Sequence, residues 1–185
     1  INRCLVSILK QNYDNYEVVV IDDHSDDNSW NEVAGDSIKS FRNKKRIGSG
    51  LANIVQGINL LSKDKEDIIV TVDGDDYLAS NDVFSYLNEA YQGGVWMTYG
   101  SFLPVSGRYK NTCQDLKETH TFDDTGEPVT NFLTPATYRK SGVWVTSHLR
   151  TFKRGLWDLI DDRDLKDGDD YFKVGWDLAF MYPMI

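Results

Sequence analysis

Three things are scarce in this sequence, and each scarcity narrows what the chain does. Cysteine occurs only as Cys4 and Cys113. That is too few for a disulfide framework or a structural zinc site, so a reducing, cytoplasmic setting is expected. Positive charge is outnumbered: 20 Lys and Arg stand against 29 Asp and Glu, a net charge of −9. This argues against a general nucleic-acid binder, which needs a basic face. Phosphate ligands stay open, because a few local cations and a metal are enough to hold them. No apolar run approaches the roughly 20 residues that span a bilayer, and no signal peptide is visible. Walker and dinucleotide glycine spacings are missing too, and no long internal repeat is found. The chain opens at Ile1 without a methionine and stops at Ile185 inside an apolar run. It is therefore expected to be a fragment, with any membrane association residing in segments outside it.

A hydrophobic content of 41% over 185 residues supplies a core for one domain, with room for a small appendage. The organising stretch is Ile68-Ile69-Val70-Thr71-Val72-Asp73-Gly74-Asp75-Asp76-Tyr77-Leu78. A short β-branched run predicts a buried strand, and Gly74 allows a bend where it stops. Crowding Asp73, Asp75 and Asp76 costs repulsion unless a cation or solvent offsets it. Oxygen ligands on a short loop suit Mg²⁺ or Mn²⁺. A solvated acidic turn explains the cluster equally well. The pattern recurs in Tyr16-Glu17-Val18-Val19-Val20-Ile21, a second predicted strand, which runs into Asp22-Asp23-His24-Ser25-Asp26-Asp27-Asn28-Ser29. Two such strands place both acidic clusters on one edge of one parallel sheet, where ligands of open α/β sheets bind. The same residues also read as a turn, with Ser25 or Asp26 capping a following helix.

Elsewhere the periodicity predicts a helix over Arg3 to Lys10, with Leu5, Ile8 and Leu9 inward, and a turn over Gln11 to Asn15. Lys39, Arg42, Lys44, Lys45 and Arg46 form the densest basic run, followed by Gly48-Ser49-Gly50 and a helix through Leu51, Ile54, Val55 and Ile58. A basic, glycine-containing loop entering a helix is a candidate phosphate cradle, with Arg46 its best cation; a solvated charged face is the commoner explanation. Asp82 to Tyr91 predicts a helix, Val95 to Phe102 a strand, 104–130 a long functional or disordered loop, and Thr134-Pro135-Ala136 a break. Val143-Trp144-Val145 reads as a short strand and Thr151 to Ile160 as a helix burying Phe152, Leu156 and Trp157. Asp167-Gly168-Asp169-Asp170 is read as a turn, and Asp177 opens or caps an apolar helical turn that runs to Pro183.

Several of these residues resemble a known family. Gln11-x-Tyr13 ahead of a strand, then Val20 to Asn28, resembles the first signature of the family 2 glycosyltransferases, with His24 where glycine is usual. Ala52-Asn53 with Gly57 resembles the helix after the basic loop. Val72-Asp73-Gly74-Asp75-Asp76 resembles the metal-binding Asp-x-Asp signature. Gly175-Trp176-Asp177 is similar in place to the Glu-Asp motif that supplies the base, with Trp176 instead of glutamate. The resemblance is close from Arg3 to Leu78 and looser beyond, and the family's first strand would precede Arg3.

The resemblance implies an α/β, GT-A fold: a mostly parallel, Rossmann-like nucleotide-binding sheet flanked by helices in a single domain. Residues 1–103 would form the donor half and 104–185 the acceptor-side half. It implies a metal-dependent, inverting transfer from a UDP-sugar to the hydroxyl of an unknown glycan, protein or lipid acceptor. One or both of Asp22 and Asp23 would hold uracil. Asp73 would face the ribose or the metal, and Asp75 the metal (Mn²⁺ or Mg²⁺) and the diphosphate, with Asp76 secondary. Asp177 would be the base, ahead of Asp169 and Asp170. This chemistry suits the residue types, since a metal held by carboxylates offsets charge on the leaving phosphate and a carboxylate takes the hydroxyl proton. His148 is a candidate acceptor or diphosphate contact, though a lone histidine is more often structural. Trp96, Tyr99, Trp144 and Trp176 are candidate sugar platforms or core residues. Two other classes stay open: a nucleotidyltransferase, and a non-catalytic calcium- or carbohydrate-binding module.

Overall fold

Short, half-buried apolar strands in small ladders frame the described part of the molecule. The computed structural model describes residues 1–33, 38–100, 102, 105 and 146–185, together with the backbone of 119–122 and 128–131. Strand β1 (Val19–Asp22) pairs in parallel with β2 (Lys39–Arg42), in a register that sets Asp22 opposite Arg42. A parallel pair needs a crossover, and here it includes the single helical turn α2 (Ser29–Glu32). Helix α3 (Gly50–Leu61) follows the basic loop. Its N-cap Ser49 accepts the amide of Ala52, and Leu51, Gly57 and Ile58 are buried.

The organising run forms β3 (Ile68–Thr71). Its partner is not β1 but β7 (Ser147–Lys153), with which it is antiparallel; β4 (Met97–Gly100) pairs with β7 on the other side, also antiparallel. The expected single parallel ladder through both acidic ends is thus two ladders. Each run has one ladder partner among the described residues, and β1 and β3 are largely half-buried where burial on both faces was expected. The fold is nonetheless mixed α/β in a single domain, with its parallel pair beside the first acidic end.

Strand β7 occupies the stretch where the periodicity predicts a helix from Thr151. Only Arg154–Trp157 is helical (α5), a single turn. Tertiary pairing overrides local preference here, because β7 is hydrogen-bonded on both edges and buries Phe152 and Thr151 completely. The Thr151 hydroxyl is satisfied by Tyr91 Oη at 2.8 Å and Thr98 Oγ1 at 2.6 Å. Phe152 stacks on Trp157, and both meet Phe180 of the last helix, α6 (Trp176–Met184). With Leu51, Ile58, Leu165, Met181 and Met184 they make the main core; each such side chain contributes roughly 1.5–3 kcal/mol of burial.

Helix α1 (Asn2–Leu9) buries Cys4, Leu5 and Ile8. Leu9, expected inward, is 43% exposed, because the buried stripe is rotated toward Cys4. The turn after α1 is stitched to the segment following β3. Gln11 Nε2 donates to Ser80 O, Gln11 Oε1 accepts the amide of Phe84, and Ser7 Oγ accepts that of Leu78. Helix α4 (Val83–Gln92) follows, with Tyr91 buried. Within the predicted loop 104–130, an antiparallel pair joins β5 (Thr119–Phe122) and β6 (Pro128–Asn131). The rest of that loop except residue 105, the break at Thr134-Pro135-Ala136 and the predicted strand Val143-Trp144-Val145 lie outside the described residues. The Asp167–Asp170 segment is a turn as expected, closing the short hairpin β8 (Lys166–Asp167) and β9 (Asp170–Tyr171) with Gly168 at φ 65°. No helix among the described residues is long and apolar enough to cross a membrane.

Candidate active site

Although β1 and β3 belong to different ladders, their acidic ends line one cleft of about 320 Å³. Val20, Ile21, Asp22 and Asp23 supply one wall; Gly74 and Asp75 supply the other. The cleft thus joins an apolar strand face to three carboxylates.

The two ends differ in what surrounds the acids. Asp22 is 7% exposed. Its Oδ2 pairs with Arg42 Nε at 3.0 Å, and its carboxylate accepts the amide of Ser25. Asp23 accepts from Asn43 Nδ2, Ile47 N and Gly48 N. Burial pushes the Asp23 carboxyl up, but those hydrogen bonds and the charge of Arg46 outweigh it and leave it below the usual carboxylate range. Arg46 itself is exposed. Neither Ser25 nor Asp26 caps α2; the amide of Ser29 is held by Asp27 Oδ1 at 2.9 Å.

At the end of β3 a histidine enters. The ladder ends at Thr71↔Arg150, and two residues further along each chain stand Asp73 and His148. His148 Nε2 lies 3.1 Å from Asp73 Oδ2 and 3.3 Å from Asp76 Oδ2. One ligand atom from each of these three residues lies within 4.8 Å of the others. The hydrogen bond from His148 holds the Asp73 carboxyl below the usual range, assisted by the Arg150 charge and opposed by burial. Two carboxylates and an imidazole fit a divalent cation, and the nitrogen suits Mn²⁺ better than Mg²⁺, which favours oxygen ligands. Asp75, expected beside Asp73 on the metal, is not in this triad and faces the cleft shared with Asp22 and Asp23. The sequence reading did not give His148 a ligand role. Its signal would have been a strand antiparallel to β3 in register; the end of that strand, from Thr151, was read as a helix and Ser147 to Arg150 as no element.

Asp177 stands on α6, away from the cleft lining, with its Oδ2 2.9 Å from Arg150 Nη2. It does not cap the helix: Gly175, at φ 62°, holds the N-cap position. Arg150 is buried, its Nε has no hydrogen-bond partner among the described residues, and its guanidinium lies over the Trp176 ring at 5.7 Å. Trp176 also presses on the start of α3, where a Cβ on Gly50 would come within 2.9 Å of the indole. This explains the aromatic at a position where the resemblance expects glutamate: it packs against Gly50, Phe180 and Arg150. Asp169 and Asp170 are exposed around the β8–β9 turn. Among the aromatic candidates, Trp96 is exposed under Lys153 and Tyr99 packs on the core; Trp144 lies outside the described residues.

Against known families, residues 1–158 match the model of glycosyl transferase family 2. The chain belongs to that family. An uncharacterized glycosyltransferase of Haemophilus influenzae is 31% identical over 107 residues, covering 55% of this chain and 41% of that protein. Crystal structures of S. aureus TarS 1–349 share the GT-A fold. The complex with UDP gives a TM-score of 0.59 at 17% identity, and the structure without it 0.60 at 18%. Each match covers 98% of this chain and about half of the TarS chain (51% and 50%). The family 2 chain described here therefore spans less than two thirds of the relatives it resembles.

Proposed function

We propose that this family 2 member is a glycosyltransferase that moves a sugar from a UDP-sugar to an acceptor hydroxyl, with inversion and with a divalent cation, Mn²⁺ over Mg²⁺. The observation that carries the reading is the shared cleft, in which Asp22 and Asp23 meet Asp75 beside the Asp73–Asp76–His148 triad. The UDP held by the distant neighbour TarS supports uridine as the base. Family membership favours sugar transfer over nucleotidyl transfer.

In this reading the Asp22–Asp23 end faces the uracil and Arg46 approaches the phosphates. Asp73, with Asp76 and His148, would hold the cation, and Asp75 would face the ribose-diphosphate from the cleft. The cation, when bound, supplies Lewis-acid stabilisation of the leaving diphosphate. Asp177 takes the proton of the incoming hydroxyl. Its Oδ2 is fixed by Arg150, while Oδ1 makes no hydrogen bond among the described residues and stays available for that proton. Nothing covalent is required of the protein in such an in-line displacement.

Thermal melting with UDP, GDP and ADP, each with Mn²⁺ or with chelator, tests this reading. Ligand that binds only the folded state stabilises by about 2.7 kcal/mol at one hundred times its dissociation constant. The expected result is a shift largest for UDP and dependent on Mn²⁺. Equal shifts for all three nucleotides, or a full shift in chelator, would overturn it.

A further inference from the structure

Between Asn43 and Gly48 the chain leaves β2, carries Lys44, Lys45 and Arg46, and enters α3. These three cations are exposed and form no hydrogen bond or ion pair among the described residues. A loop loaded with like charge spreads unless something fixes its ends. One carboxylate does so here. Asp23 Oδ1 accepts Asn43 Nδ2 at 2.9 Å, at the entry of the loop, and the amide of Ile47 at 2.9 Å, at its exit. Its Oδ2 accepts the amide of Gly48 at 2.7 Å. The same Asn43 Nδ2 reaches Asn53 Oδ1 on α3, and the amide of Asn43 donates to Asp22 O. Gly48 takes φ 72°, which directs its amide back to Asp23 and hands the chain to the Ser49 cap. Three donors fill most of the roughly four acceptor positions of a carboxylate. Little of Asp23 is left for a nucleobase.

We propose that Asp23 is a positioning residue: it latches the loop 43–48 at both ends so that the cations of that loop meet the diphosphate of the donor. This rests on the nucleotide-sugar reading above, and divides the two neighbouring aspartates, leaving the base to the Asp22 side of the cleft. The depressed carboxyl of Asp23 agrees with the geometry.

Two measurements on the wild type, Asp23→Ala and the triple variant Lys44→Gln, Lys45→Gln, Arg46→Gln test it. Amide hydrogen exchange needs no ligand. In Asp23→Ala the amides of Ile47 and Gly48 should exchange at least about tenfold faster, with the β7 amides unchanged. Unchanged protection at both amides would overturn the latch. Calorimetric titration with UDP and with inorganic pyrophosphate, both in Mn²⁺, separates loop from base. Asp23→Ala should weaken both ligands by a similar factor, about tenfold or more, and the triple variant should weaken pyrophosphate as well. Loss of UDP binding with pyrophosphate untouched in Asp23→Ala would make Asp23 a base contact and refute the proposal. So would wild-type pyrophosphate affinity in the triple variant. If the wild type binds neither ligand, the donor reading fails, and the diphosphate role with it, whereas the latch is still judged by the exchange of Ile47 and Gly48.

Discussion

The end of β1 and the end of β3 look alike in sequence and behave differently in space. Both are β-branched runs that stop in a cluster of aspartates. At β1 the protein supplies the counter-groups itself: Arg42 and the Ser25 amide for Asp22, then Asn43, Ile47 and Gly48 for Asp23. At β3 the carboxylates gather around a histidine, an arrangement that suits a cation, and Asp75 faces the cleft with no hydrogen bond among the described residues. An acidic strand end is therefore not one device. What the following loop donates decides how much of each carboxylate is left for a ligand.

Variants at each end should break this comparison in opposite ways, and the largest effects fall on turnover. Asp75→Asn, and Asp177→Asn across the site, should each cut UDP release from a UDP-sugar by about 10²–10⁴-fold. Water as the acceptor suffices for this assay, run over UDP-glucose, UDP-galactose and UDP-N-acetylglucosamine, and the melting temperature of Asp75→Asn should stay near wild type. Turnover near wild type in Asp177→Asn would remove it as the base.

Arg150→Met comes next. It strands Asp177 and empties the space under Trp176, and breaking such a buried pair costs about 3–5 kcal/mol. Urea denaturation should show this as an earlier midpoint, with Asp177→Asn costing less because an amide still accepts from the guanidinium.

At the β1 end, Asp22→Asn should cost stability before function. Its partner Arg42 is partly exposed, so the loss is about 1–2 kcal/mol, a few degrees of melting temperature at this chain length. The smallest effect is that of pH on Asp23. Its folded carboxyl lies below the ordinary value of 3.8. The stability it contributes is fully present above that value and is lost as pH falls through the lower folded one. The gap in melting temperature between wild type and Asp23→Asn should therefore be constant from neutral pH to about pH 5 and shrink toward pH 3.

Much of this site was legible from residue order alone. Strong local patterns located β1, β3, α3 and α4, because apolar runs and helical spacing leave little choice. The strand ends followed, and with them the cleft. What escaped depended on distant pairing. Thr151-Phe152-Lys153 carries no period-2 signature strong enough to outweigh the helical spacing of Phe152, Leu156 and Trp157, so β7 was invisible until β3 and β4 were in place on either side. The pairing of His148 with Asp73 and Asp76, and that of Arg150 with Asp177, were hidden with it. The buried stripe of α1 turned toward Cys4 for the same reason: the surface it meets comes from elsewhere in the chain.

The central claim is that both acidic ends serve one metal-dependent donor site, and titration of UDP against wild type and His148→Ala tests it most directly. The account predicts that wild type binds UDP in Mn²⁺ and at least about tenfold more weakly in chelator. It also predicts that His148→Ala, with an unchanged melting temperature, binds equally weakly in both. Tight UDP binding by wild type in chelator, or a full Mn²⁺ response in His148→Ala, would contradict it.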